Sequence, residues 1–338
     1  MAGTYKAMEI SSPGVFTMVE RKIIAPGEGQ VRIRVEVCGV CHSDAATVEN
    51  QFPNMQYPRV PGHEAVGKID AIGAGVEGWK AGQRVGVGFL GGEDGTCEAC
   101  RRGDTAYCVN SIMSGTSTDG GYAEMMIAEA RALVAIPDDL ESTMAAPLLC
   151  AGLTTFNAIR NAGGRAGATV AIQGIGGLGH LGVQFARKLG YRTVAIGGGP
   201  DKEHLAAKLG AEIYIDAKAE DAAAALQKLG GADVILATAP SGAAIGSLIG
   251  GLGVRGKLVV VGVSGDPIPI PGVPLIFGGR SIIGSLTGRA IEAQDTLDFS
   301  LLNDVRPMIE VVPFAQAQAA YKKMIDGQAR FRMVLQIA

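Results

Sequence analysis

The sequence predicts an α/β protein in which a doubly wound, parallel six-stranded sheet is joined to a mainly β region. Two patterns carry that reading. Strand-like and helix-like segments alternate from residue 168 onward, whereas the first 140 or so residues hold short strands with little helical period. Length agrees, since 338 residues correspond to two domains of ~150 residues better than to one outsized core. Hydrophobic residues make up 47% and charged residues 19%, which excludes an intrinsically disordered chain. Glycine occupies 50 positions, about twice its usual ~7% share and without a collagen-like period, so tight turns and close backbone approaches are expected.

In the segment QVRIRVEVCGV, Val31, Ile33, Val35 and Val37 alternate with Arg32, Arg34 and Glu36, the pattern of a half-buried strand. EAVGKIDAIG and QRVGVGF read as further short strands interrupted by glycine. After residue 168, ATVAIQG is an apolar strand and GLGHLGVQFARKLG a helix, with Leu178, Leu181, Phe185 and Leu189 at helical spacing. RTVAIGG, EIYIDA, ADVILATA, KLVVVGV and SIIGSL follow as strands, with DKEHLAAKLG, EDAAAALQKLG and SGAAIGSLIGGLG as helices between them. Near-continuous apolar strands joined by helices form a parallel sheet covered on both faces, the doubly wound nucleotide-binding arrangement. From LTGRAIEAQ onward the rhythm is lost, and the terminal FRMVLQI is expected to pack back onto the N-terminal half.

A net charge of −3 and a pI near 5.9 leave no basic field to attract phosphates, so no nucleic-acid partner is expected. The N-terminus MAGTYKAMEISS lacks the basic and apolar regions of a secretion signal. No apolar run is read as approaching the ~18 residues that cross a bilayer. The expectation is a cytoplasmic enzyme with no membrane partner. Six cysteines (Cys38, Cys41, Cys97, Cys100, Cys108 and Cys150) in such a chain point to metal ligands or buried thiols rather than disulfides.

Gly174, Gly176 and Gly179 form G-x-G-x-x-G between the first strand of the repeating region and its helix, with Gly177 and Leu178 inside the loop. The first glycine permits a tight turn, the second lets backbone approach a pyrophosphate, and the third lets the helix pack on the sheet. A methyltransferase-type loop for another nucleotide is the competing reading. At the end of the second strand, Gly197 stands where an acid would hold the ribose hydroxyl of NAD, followed by Gly198 and Gly199. Consecutive amides there could form an anion nest, with Lys202 and Arg192 supplying positive charge, which favours NADP(H) over NAD(H). The alternative is that Asp201, displaced along the loop, serves NAD.

Two groups of metal-type residues stand out. Cys41-His42-Ser43-Asp44, Gly62-His63-Glu64 and Cys150 are scattered, but two thiolates and one imidazole make a zinc set with an open fourth position. Separation in sequence cannot by itself link the three. Cys97-x2-Cys100-x7-Cys108, with Asp94 three residues upstream, is local and suits a closed tetrahedral structural zinc; free thiols in a loop are the alternative.

Together these features resemble the zinc-dependent alcohol dehydrogenases of the medium-chain dehydrogenase/reductase superfamily. The resemblance rests on GVCHSD (39–44), PGHE (61–64), the cysteine lobe (94–108), APLLCAGLTT (146–155), GIGGLGHLG (174–182) and RFRMVLQI (330–337). The tail, with VRPMIEVVPF, is most similar to the cinnamyl-alcohol and broad-range bacterial branch. It implies a GroES-like catalytic domain at 1–150 and 287–338 around a Rossmann cofactor domain at 151–286. It implies that Cys41, His63 and Cys150 hold catalytic zinc, that Glu64 can approach the metal during ligand exchange, and that Asp44 orients His63. It further implies Ser43 as the proton carrier, Thr154 against the nicotinamide, His42 and Arg332 at the cofactor pyrophosphate, and Val48, Phe52 and Phe89 around the substrate. The partner is then a small primary alcohol or aldehyde, and the chain a homodimer or homotetramer.

Two departures from the family pattern matter. Ala46 stands where many relatives carry a histidine that completes a proton relay, and Asp94 stands where most carry cysteine in the structural lobe. Two other functions compete: a zinc-free quinone or enoyl reductase of the same superfamily, and a non-catalytic NADPH-binding protein. The intact Cys41, His63 and Cys150 set argues against both.

Overall fold

The computed structural model describes residues 3–52, 55–263 and 265–338. The chain divides into two compact units, Met1–Leu153 with Gly288–Ala338, and Thr154–Thr287.

The first unit is built around the strand Gln30–Val40. It pairs antiparallel with Ala65–Ile72, with Met125–Glu129 and with Arg332–Gln336 near the C-terminus. The tail therefore does return to the N-terminal half, with Met333 opposite Val40 and Leu335 opposite Cys38. The alternation read from the sequence holds: Val31, Ile33, Val35 and Val37 are fully buried, while Arg32 and Arg34 share Asp70 on the neighbouring strand. Val31, Ile33 and Val35 join Ile69, Val85, Val87, Tyr122, Met126 and Leu335 in one core, each large side chain contributing roughly 1.5–3 kcal/mol by leaving water.

The second unit holds a parallel sheet in the order Ile213–Asp216, Arg192–Gly197, Thr169–Gln173, Ala232–Ala237, Leu252–Val260, Ser281–Gly284. Counted by appearance that is 3-2-1-4-5-6, the doubly wound order whose direction reverses at the first strand and so opens a crevice beyond its C-terminal end. Thr169–Gln173 is buried throughout, as a strand covered on both faces must be. One expected helix is shorter than read. SGAAIGSLIGGLG divides into the helix Gly242–Gly246 and a tighter turn, Ser247–Gly251, before the next strand. Its glycines weaken the helix and let backbone approach closely: a Cβ on Gly246 would lie 2.4 Å from the Pro269 carbonyl oxygen.

One sequence expectation is corrected here. The helical run Ser142–Ala162 has 21 residues and a mean hydropathy of 1.2, long and apolar enough to span a bilayer. With 83% of that window buried inside the protein, its apolar surface is taken up by the core.

Candidate active site

Three separate pieces of the first unit carry the scattered metal-type residues. Cys41 follows the strand Gln30–Val40 and precedes the turn His42–Asp44. His63 and Glu64 lead into the strand Ala65–Ile72. Cys150 sits on a widened helical turn, Leu148–Gly152, directly after Pro147. Proline has no amide to donate into the helical ladder, and widened turns of this kind recur at functional sites. Folding gathers one donor atom each from Cys41, His63, Glu64 and Cys150 to within 4.8 Å of one another, all on buried residues. The two sulfurs are 3.8 Å apart.

Asp44 organises this cluster. Its Oδ1 accepts from His63 Nδ1 at 3.0 Å and from the Gly62 amide at 3.2 Å. Its Oδ2 accepts from the Cys41 amide and from the Tyr122 hydroxyl, each at 3.0 Å. The other ring nitrogen, His63 Nε2, is buried without a hydrogen-bond partner, as is Glu64 Oε2. Glu64 Oε1 is ion-paired to the Arg332 guanidinium, both side chains being buried. Gly39 makes room for that carboxylate, since a Cβ there would lie 1.9 Å from Oε2.

The electrostatics suit a cation. Cys41 and Cys150 share one S–H···S contact; against the cost of burial it holds the Cys41 thiol well below its ordinary range, helped by His63 and Arg332, and together with burial it pushes the Cys150 thiol up. Burial works to lower His63, but Asp44 and the Cys41 thiolate outweigh it and raise the imidazole. Burial raises the Glu64 carboxyl to about 7, with Arg332 opposing. Buried charges are costly unless paired or bound to metal. Two cysteine sulfurs, an imidazole with its outer nitrogen held by a carboxylate, and a nearby carboxylate are the donor set zinc takes, with His63 Nε2 and Glu64 Oε2 left unpartnered.

Phe89 stands edge-on to His63, ring centroids 5.3 Å apart at 81°. Ser43 is half-buried on the turn between Cys41 and Asp44, and His42 beside it is exposed. Val48 lies in the core of the first unit at 1% exposure, and Phe52 is 38% exposed. Thr154 is buried in the second unit. The Glu64–Arg332 pair and the Tyr122 contact escaped the sequence reading, because each joins segments distant in the chain.

The second cluster also assembles: donor atoms of Asp94, Cys97, Cys100 and Cys108 lie within 4.8 Å of one another. Cys97 caps the short helix Glu98–Arg101, which carries Cys100. Asp94 Oδ1 accepts from the Cys97 and Thr96 amides at 2.9 and 2.8 Å, and Oδ2 from Asn110 at 2.7 Å. Those amides hold its carboxyl far below the ordinary range, so it is a fixed anionic donor. Asn110 is a further residue that the spacing of the cysteines did not reveal.

In the second unit the glycine loop is shaped by a positive φ and a close backbone approach. Gly174 has φ +85°, and a Cβ on Gly179 would lie 1.6 Å from the Gly174 oxygen, so that helix Gly179–Lys188 can start only on glycine. A Cβ at Gly176 would meet nothing within 4 Å; the loop is open where phosphate would sit at the helix start. His180 Nδ1 is 2.9 Å from the Gly176 oxygen and steadies the loop.

The turn after the second strand is shaped by residues from its neighbour. Gly197 lies opposite Asp216, and a Cβ on it would meet Tyr214 Oη at 2.5 Å. Tyr214 donates to the Gly199 oxygen at 2.6 Å, and Asp216 Oδ1 accepts from the Gly199 and Lys218 amides at 2.8 and 2.9 Å. A Cβ on Gly198 would touch Lys218 Cε at 3.2 Å. Lys202 closes the turn Pro200–Lys202 that follows. Arg192 is corrected: it begins the strand that ends at Gly197 and pairs with Glu212 at 3.0 Å. A rise of ~3.3 Å per strand residue carries it away from the glycine turn.

The chain matches two family models, "Alcohol dehydrogenase GroES-like domain" over residues 27–138 and "Zinc-binding dehydrogenase" over residues 177–301. It is 41% identical over 333 residues to the alcohol dehydrogenase notN of Aspergillus sp. (strain MF297-2), with 98% of each chain covered. A solved cinnamyl alcohol dehydrogenase from Sorghum bicolor superposes with a TM-score of 0.89 at 31% identity, covering 99% of this chain and 98% of that one. The structure of CAD from Helicobacter pylori, solved in complex with NADP(H), superposes with a TM-score of 0.86 at 26% identity, covering 99% of both chains.

Proposed function

The chain belongs to the zinc-binding alcohol dehydrogenases of the medium-chain dehydrogenase/reductase superfamily, and from that premise we propose a zinc-dependent enzyme that interconverts primary alcohols and aldehydes with NADP(H). The catalytic domain is residues 1–150 and 287–338, and the cofactor domain residues 151–286. The observation that carries the reading is the buried His63 ring, held by Asp44 through Nδ1 and with Nε2 unpartnered, among the thiols of Cys41 and Cys150.

When bound, zinc supplies a Lewis acid at the substrate oxygen, and the nicotinamide accepts or returns the hydride. Cys41, His63 and Cys150 would hold the metal, and Asp44 keeps the imidazole in the tautomer that presents Nε2. Glu64, tethered by Arg332, is the carboxylate available during ligand exchange. Ser43, two residues beyond Cys41, takes the alcohol proton by a short hydrogen bond and returns it in reduction. Ala46 offers no relay base, so no side chain at that position carries the proton onward from Ser43. Phe89 against His63 supports apolar or aromatic substrates.

Gly174, Gly176 and Gly179 would hold the cofactor pyrophosphate, and Thr154 would hold the nicotinamide. The glycine turn 197–199, flanked by Lys202 and Lys218, supports NADP(H), because it offers amides and positive charge where NAD binding asks for an acid. Asp94, Cys97, Cys100 and Cys108 hold a structural zinc. A homo-oligomer is supported by apolar side chains left in water on the second unit, with Val273, Ile276 and Phe277 of the helix Gly272–Gly278 at 65%, 77% and 88% exposure.

The test is steady-state hydride transfer with NADPH and NADH, each against a panel of aldehydes. The reading expects turnover with NADPH that a chelator abolishes and zinc restores; turnover indifferent to chelation would refute it.

A further inference from the structure

We propose that Tyr122 is a positioning residue for the metal centre, its hydroxyl fixing the carboxylate that orients His63. The inference rests on the zinc reading of Cys41, His63 and Cys150 given above.

Asp44 takes four donors. Three come from the segments that carry metal ligands: the Cys41 amide, the Gly62 amide and the His63 ring. The fourth is the Tyr122 hydroxyl, 3.0 Å from Oδ2, which reaches in from residue 122. Tyr122 is fully buried, and its ring belongs to the hydrophobic core of the first unit. A phenylalanine would fill that core equally well, so the hydroxyl is not needed for packing. Among the described residues its hydroxyl bonds to Asp44 alone. Burial and the neighbouring Asp44 charge keep the phenol protonated far above its ordinary range, so it serves the carboxylate only as a donor.

Glycines shape the socket. Gly62, directly before His63, has φ +100°, and a Cβ on it would lie 2.4 Å from Tyr122 Cδ1. A Cβ on Gly121 would lie 2.5 Å from that of Ala65. The backbone on either side is tied to the ligand loop, with the Gly120, Gly121 and Tyr122 amides donating to the carbonyls of Val60, Gly62 and Pro61 at 2.8, 2.8 and 3.0 Å. Tyr122 is thereby locked to the residues that place His63, and its hydroxyl sets the rotation of the Asp44 carboxylate about them.

The experiment follows zinc release to a chromogenic chelator from the intact enzyme, from His63→Ala and from Tyr122→Phe. The release phase missing in His63→Ala belongs to this centre. Loss of a direct partner of a metal-bound histidine weakens metal binding ~10–100-fold. Tyr122 acts one contact further out, so Tyr122→Phe is expected to speed that phase about 3–10-fold and to leave the other phase unchanged. An unchanged rate overturns the inference while leaving the zinc reading intact. A wild-type protein with no such phase overturns the zinc reading itself. A site-specific 3-fluorotyrosine at position 122 keeps a hydroxyl of greater acidity and should release zinc no faster than wild type. Faster release from that protein would show that the ring rather than the hydroxyl matters, and would also overturn the inference.

Discussion

His63 donates from Nδ1 to Asp44 Oδ1 across 3.0 Å, and this one bond decides which ring nitrogen is left as a lone-pair donor. Asp44→Asn keeps the shape of the partner but removes its charge, so the imidazole becomes a weaker ligand. Competition against a chelator should show the zinc affinity of this centre falling by roughly ten-fold or more. An affinity equal to wild type would mean that Asp44 serves only the backbone amides.

The cysteine lobe gives a second expectation. Asp94 is held by two amides and Asn110, which aims a fixed carboxylate at three thiols. Metal analysis of the purified protein should return two zinc ions per chain, and Asp94→Ala should lower that by one. A content of one ion, unaffected by Asp94→Ala, would count against zinc in the lobe.

Gly39 tests the Glu64–Arg332 arrangement. In Gly39→Ala the new methyl would sit 1.9 Å from Glu64 Oε2, so the carboxylate must move while staying buried. The expected cost is about 1–3 kcal/mol in urea denaturation, the scale of overpacking in a tight core. A variant as stable as wild type would show that Glu64 has another resting place.

The fold should also respond to acid at a defined point. Arg32, foremost, and Arg34 hold the Asp70 carboxyl below its ordinary range. A depressed folded-state pKa contributes stability above the unfolded value, near 4, and that contribution is lost as pH falls through the lower, folded value. Wild type should therefore exceed Asp70→Asn in stability by about 1 kcal/mol at neutral pH, with the gap closing below about pH 4. Thermal melts across that range check it; a gap that does not depend on pH would remove the ion pair as its cause.

Cofactor preference turns on Lys218, whose chain lies against Gly198. Lys218→Ala should weaken NADPH binding about 5–10-fold, a loss comparable to one charge-assisted hydrogen bond, and leave NADH binding unchanged. Fluorescence titration of both cofactors separates the cases, and equal losses for the two would place Lys218 away from the 2′-phosphate.

What could be read in advance follows from distance along the chain. The glycine loop was legible because strand, turn and helix are contiguous, and Gly174 and Gly179 meet steric demands set within six residues. The strand Gln30–Val40 was legible because burial alternates residue by residue. Cys41, His63 and Cys150 could be joined only through the resemblance, since nothing in their spacing forces them together. The Glu64–Arg332 pair, the Tyr122–Asp44 bond and the Tyr214, Asp216 and Lys218 contacts with the glycine turn were hidden, because sheet register and loop crossings create them. Arg192 is near the glycine turn in sequence but not in space, because the extended strand Arg192–Gly197 lies between them.

The central claim, a catalytic zinc on Cys41, His63 and Cys150, is tested most directly by measuring zinc content and NADPH-linked aldehyde reduction on the same samples of wild type and His63→Ala. The account predicts that His63→Ala loses one zinc per chain and its turnover together, while the ion in the cysteine lobe remains. A His63→Ala protein that reduces aldehydes at the wild-type rate, or that retains every zinc of the wild type, would contradict it.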